Sequence, residues 1–238
     1  MVTGWQLTPY AIPALAATFA AIAMLALTYR RRHAPGAPAF TLLVAAIGVW
    51  SVFDAAILCA PDLPTKLLLT KFEYVGIVSA PLAWLLFAVR YCGQDRWLRG
   101  WRFPALGIVP ATTLVLTATL ERHRWIYESV RLVERDSTLV LAADYGIWFL
   151  IFSIYSYLLI AVATFLFLWT LSAAERAFRG QMIAVVVAPL LTLVGNAVYL
   201  SKLSAVPPID LTPVGFTLGM ILMSLALFRW HFFELVPL

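Results

Sequence analysis

Charge is what this sequence has least of. Acidic and basic residues make up 12% of its 238 positions, about half the share usual in soluble domains, which excludes an ordinary water-soluble fold. Cysteine is nearly absent. Cys59 and Cys92 fall near opposite faces of the membrane in the reading below, so no disulfide within one chain is expected and both read as packing residues. No Lys or Arg precedes the first apolar run in MVTGWQLTPY, and no compact cleavage pattern follows, so no removable signal peptide is read. HExxH, G-x-S-x-G and P-loop patterns are missing. His33, His123 and His231 lie in loops or at a span end, where two helices cannot offer opposed imidazoles to a haem. No catalytic residue, metal or cofactor is therefore expected. The last apolar run holds no lysine, Lys202 lying in the loop before it, which excludes a retinal Schiff base of the rhodopsin kind.

Apolar surface is what the sequence has in abundance. Hydrophobic residues are 63% of the chain and the mean hydropathy is +0.90. A spanning helix needs about 20 apolar residues. Barrel-like alternation is absent from most of the chain, which leaves helices to satisfy backbone groups in lipid. The expected fold is an all-α integral membrane protein, a seven-transmembrane helix bundle forming a single domain, with spans at 5–28, 39–60, 65–91, 103–120, 147–171, 181–200 and 209–230. In the connection 121–146, β-branched and aromatic residues flank the turn Glu134-Arg-Asp-Ser137, which predicts a small extracellular β-hairpin acting as a lid. Gly76 and Pro81 are expected kink or close-packing points, and Gly215-x-x-x-Gly219 lets another helix approach closely.

The distribution of charge orients the bundle. Placing the 1–2, 3–4 and 5–6 loops and the C-terminus inside assigns them ten arginines against Asp95, Glu175 and Glu234. The positive-inside rule then gives N-out, C-in, in the cell's inner (plasma) membrane. The +5 net charge is accounted for by topology, and no nucleic-acid partner is expected.

With that orientation, polar groups converge. Glu73 and Asp54 are carboxylates within apolar runs, costly unless paired, solvated or protonated, and therefore functional-site candidates. Asn196 and Tyr199 in span six, Asp210 and Thr212 at the start of span seven, and Tyr155 in span five fall at similar depth, with Trp50, Tyr74 and Trp148 near them. An outward-opening pocket under the 121–146 lid would accommodate them together. Its carboxylates and rings suit a cationic or hydrogen-bond-donating amphipathic small molecule. Other readings stay open: Asp210 as an N-cap, Asn196 as a helix–helix hydrogen bond, Glu73 paired with Lys71 or protonated, and the aromatics as packing. A small-solute transporter or channel is the alternative function, since acids at depth also mark ion pathways.

Several stretches together resemble the seven-transmembrane N-terminal sensor region of prokaryotic histidine kinases. They are FEYVGIVSAPLAWLLFAVRYCG in span three, YGIWFLIFSIYSYLLI entering span five, Arg179-Gly-Gln181 before span six, and DLTPVGFTLGMILMSLALFRWHFFELVP at the end. The resemblance implies a receptor that binds an extracellular or membrane-borne signal and passes it through the last helix to cytoplasmic sensory and kinase modules, as a homodimer in the full-length protein. The sequence carries no phosphoacceptor His region and no nucleotide-binding glycines. The expectation is a sensor domain alone, without catalysis of its own.

Overall fold

The computed structural model describes residues 4–30, 36–135 and 138–173, and beyond them 183, 186–194, 196, 212, 215, 218, 219 and 222. Within these residues the chain forms α1 (Ile12–Arg30), α2 (Ala37–Cys59), α3 (Leu63–Tyr91), α4 (Arg102–Leu106), α5 (Ile108–Ala118), β1 (Tyr127–Arg135), β2 (Thr138–Tyr145) and α6 (Ile147–Ala173). Among the described residues, four helices are long and apolar enough to cross a membrane: Pro9–Arg30, Ala37–Cys59, Leu63–Tyr91 and Ile147–Thr170. Their outer faces carry exposed Phe19, Ile22, Leu68, Phe72, Leu150, Ile154, Leu158 and Phe165. Apolar surface on that scale is a lipid-facing surface.

Local chemistry sets the helix ends. α3 starts where Asp62 accepts the Thr65 N–H at 2.8 Å, with Pro64 in the first turn where its missing N–H costs nothing. α2 follows Gly36, held at φ 79°, a conformation open to glycine. α2, α3 and α6 begin and end within two residues of the apolar runs at 39–60, 65–91 and 147–171.

Two expected spans differ. The run from 5 to 28 is helical only from the 3-10 turn Pro9–Ala11 onward. Thr8 precedes a proline and is held extended, and the Gln6 N–H bonds the Cys59 carbonyl instead of a helical partner. The run 103–120 is broken at Gly107 into α4 and α5. Pro110 is the physical reason: it has no N–H for the Leu106 carbonyl, four residues back, and its ring crowds that carbonyl. The Tyr155 hydroxyl of α6 donates to it instead, at 2.6 Å.

α3 is the central element, packed on α2, α5 and α6, while α1 packs on α2. α2 and α3 meet backbone to backbone at Gly76, where a Cβ would lie 2.6 Å from the Ala46 carbonyl oxygen and closer still to the Trp50 nitrogen. Gly215 and Gly219 likewise face the segment around Ala188–Thr192. That close-approach pair is therefore occupied within the chain.

The expected hairpin is present. β1 and β2 pair antiparallel from Tyr127↔Tyr145 to Arg135↔Thr138, with an irregularity between Tyr127 and Ser129. Its outer face is pinned by Asp144, which accepts from Ser129 at 2.8 Å and from Arg131 at 3.2 Å. Its base is tied to α6 through Gly146 N–H to the Ile126 carbonyl and Trp148 N–H to the Trp125 carbonyl.

Candidate functional site

Beneath the hairpin lies a cavity of about 260 Å³, just under the 300–1,000 Å³ range of small-molecule pockets. Each wall has a helical rhythm. α3 contributes Thr70, Glu73, Tyr74, Ile77, Ala80, Pro81 and Trp84, and α2 contributes Phe40, Leu43, Ile47, Trp50, Asp54 and Ile57. Steps of three and four residues keep each set on one helix face.

The end of the cavity under the hairpin is the polar one. Asp54 and Glu73 line it, together with Asn196 and Thr212. A hydrogen-bonded chain joins three segments there: the Tyr157 hydroxyl of α6 donates to Asn196 Oδ1 at 2.5 Å, and Asn196 Nδ2 donates to Thr212 Oγ1 at 3.3 Å. The roof is Tyr127, Val140, Leu141, Ala143 and Tyr145 of the hairpin. Rings seat it: Tyr74 meets Tyr127 edge-on at 6.4 Å, Tyr127 meets Tyr145 at 5.8 Å, and Tyr145 stacks on Phe149 at 3.8 Å.

The opposite end is apolar. Phe40, Leu43 and Trp84 line it, backed by the buried rings of Phe87 and Phe167, with Trp84 at 5.8 Å and 5.3 Å from them. From Glu73 to Trp84 is eleven residues, three turns of α3 and roughly 16 Å.

Of the residues expected to form a site, Trp50, Asp54, Glu73, Tyr74 and Asn196 line this cavity. Trp148 and Tyr155 do not. The Trp148 indole N–H donates to Thr113 Oγ1 of α5 at 2.9 Å, and Tyr155 is committed to the Leu106 carbonyl. Both therefore fasten α6 to its neighbours. Tyr199 and Asp210 lie outside the described residues. Lys71, a suggested partner for Glu73, instead bridges Glu121 at 2.6 Å, and that bond holds the Glu121 carboxyl below the usual carboxylate range.

Sequence reasoning missed Trp84, Ser156 and Tyr157 as lining residues, and missed the buried Lys66, whose Nζ donates to the Ile57 carbonyl at the end of α2. Phase was the available signal. Trp84 stands three full turns from Glu73, while Ser153, Ser156, Tyr157 and Ile160 follow Phe152 on one face of α6.

A cavity with carboxylates at one end lies inside a bundle of membrane-length apolar helices. The family is explicit: the model for the N-terminal 7TM region of histidine kinase matches residues 13–237, and this chain belongs to that family. It is a membrane sensor region of a histidine kinase. No curated protein matches the chain.

Proposed function

We propose that this domain is a receptor that binds a small extracellular or membrane-borne amphipath in the cavity beneath the hairpin, the carboxylate end taking a cationic or hydrogen-bond-donating head. In this reading the chain makes seven spans with the N-terminus and hairpin outside and the C-terminus inside. Signal leaves through the seventh span to cytoplasmic sensory and kinase modules, in a homodimer. The observation that carries the proposal is the joint lining of one cavity by Asp54, Glu73, Asn196 and Thr212. Asn196 and Thr212 belong to the segments that lead toward the C-terminus and are hydrogen-bonded to α6 through Tyr157. An occupant that competes for those bonds shifts the packing of these segments in proportion to its differential affinity for the two arrangements.

The test is a thermal-shift and binding screen of the purified chain against alkylamines and other small amphipaths, run beside Glu73→Gln and Asp54→Asn. Stabilisation that the parent shows and both variants lose is the expected result, since a ligand bound only to the folded state raises apparent stability. Equal stabilisation of parent and variants would rule out the acidic head site. Transport is the less favoured reading because the described residues close the far end of the cavity with the packed rings of Phe40, Trp84 and Phe87. Accumulation of an amine in vesicles carrying only this chain would reverse that preference.

A further inference from the structure

Two polar atoms in the cavity wall lack partners among the described residues. Trp84 is 5% exposed and Ser156 is 8% exposed; both line the cavity, and neither Trp84 Nε1 nor Ser156 Oγ has a hydrogen-bond partner. A buried donor left without an acceptor is destabilising, and indole N–H is a donor with no accepting capacity. Whatever relieves it must bring an acceptor. Packing among the described residues brings none: the rings of Phe87 and Phe167 lie against the indole, and its N–H has no partner there.

The two orphans sit at different levels. Ser156 is nine residues into α6 and Glu73 ten residues into α3, so with both helices starting at the hairpin end they share the polar level, roughly 14–15 Å down. Trp84 lies at the far end, beyond a mainly apolar stretch lined by Ile47, Ile77, Ala80 and Ile160.

Resting on the receptor reading above, we infer that the cavity is built for a single-chain molecule polar at both ends: a donor-bearing or cationic head held by Asp54, Glu73 and Ser156, an unbranched apolar body, and a buried terminal oxygen that accepts a hydrogen bond from Trp84 Nε1. An ester, ketone, amide or ether oxygen fulfils the last requirement. A plain alkyl terminus does not. A volume of about 260 Å³ suits one chain better than the paired chains of a bilayer phospholipid.

The experiment uses two probes with the same twelve-carbon amine chain, dodecylamine and the methyl ester of ω-aminododecanoic acid, with the whole protein in lipid nanodiscs. Both carry the cationic head; only the ester carries the far acceptor. Binding is measured for the parent and for Trp84→Phe, which keeps a ring against Phe87 and Phe167 and removes the donor. The ratio of the two affinities, compared between parent and variant, cancels the different partitioning of the probes into lipid. A preference for the ester about tenfold greater in the parent than in the variant is expected. An unchanged ratio would overturn the inference while leaving the acidic head site intact. Failure of both probes to bind the parent would overturn the inference together with the receptor reading. A second measurement needs no variant: in parent protein carrying labelled tryptophan, one of the nine indole N–H signals should move on adding the ester and stay in place on adding dodecylamine. If none responds to the ester alone, Trp84 does not take an acceptor.

Discussion

Tyr155 and Tyr157 are two residues apart on α6 and do different work. Tyr155 supplies the proton that Pro110 denies the Leu106 carbonyl, so Tyr155→Phe should lower stability by about 1–3 kcal/mol, read as a drop in thermal midpoint, with amine binding unaffected. Tyr157 holds Asn196 on the cavity wall, and Tyr157→Phe should change amine affinity with a smaller stability loss. A binding change in the first variant and none in the second would reverse these roles. Glu121 gives a pH prediction. Its carboxyl is held low by Lys71, so the bridge contributes at neutral pH and is lost as pH falls through that lowered range. Glu121 is exposed, so the effect is small. Melting the parent and Glu121→Gln across acid pH should show a loss in the parent that the variant lacks. At this scale sequence identified charge in an apolar run, as with Asp54 and Glu73, because burying it is expensive wherever it points. It could not separate Tyr155 from Tyr157, or single out Trp84, since a ring in a membrane helix reads the same whether it faces a cavity, a carbonyl or lipid.

At the scale of elements, α2 and α3 form the fixed part of the site. Their contact at Gly76 leaves no room for a methyl group, and Gly76→Ala should force the helices apart at a cost of about 1–3 kcal/mol, widening the cavity between Trp50 and Tyr74. Thermal unfolding checks the first effect and altered chain-length preference among alkylamines the second. The long helices were legible because apolar runs of membrane length bounded by proline, arginine and aspartate leave few alternatives. The hairpin was legible from its β-branched strands around a polar turn. The break at Gly107 was not, although Pro110 was visible, because a proline kink and a proline break differ only in whether a neighbouring side chain captures the freed carbonyl. Tyr155 comes from an element forty-nine residues away.

At the scale of the molecule, the segment before α1, the end of α2 and the hairpin gather at one end, where Gln6 bonds Cys59 and Thr138 and Leu139 lie beside Leu58 and Ala60. The arginine-rich turn holding Arg96 and Arg99 follows the other end of α3. In the proposed orientation, which rests on charge asymmetry, the hairpin end lies outside. In a background lacking Cys59 and Cys92, a cysteine replacing Ser129 should react with an impermeant thiol reagent in intact cells, and one replacing Gln94 only after lysis; the reverse pattern would invert the protein. The hairpin roof also implies something about time. If the occupant of the proposed receptor leaves only when the ring contacts beneath the hairpin part, occupancy follows the running average of ligand concentration and a brief pulse passes unread. Such a receptor would be a low-pass filter, tuned by the Tyr74–Tyr127–Tyr145–Phe149 ring contacts as well as by the chemistry at its carboxylates.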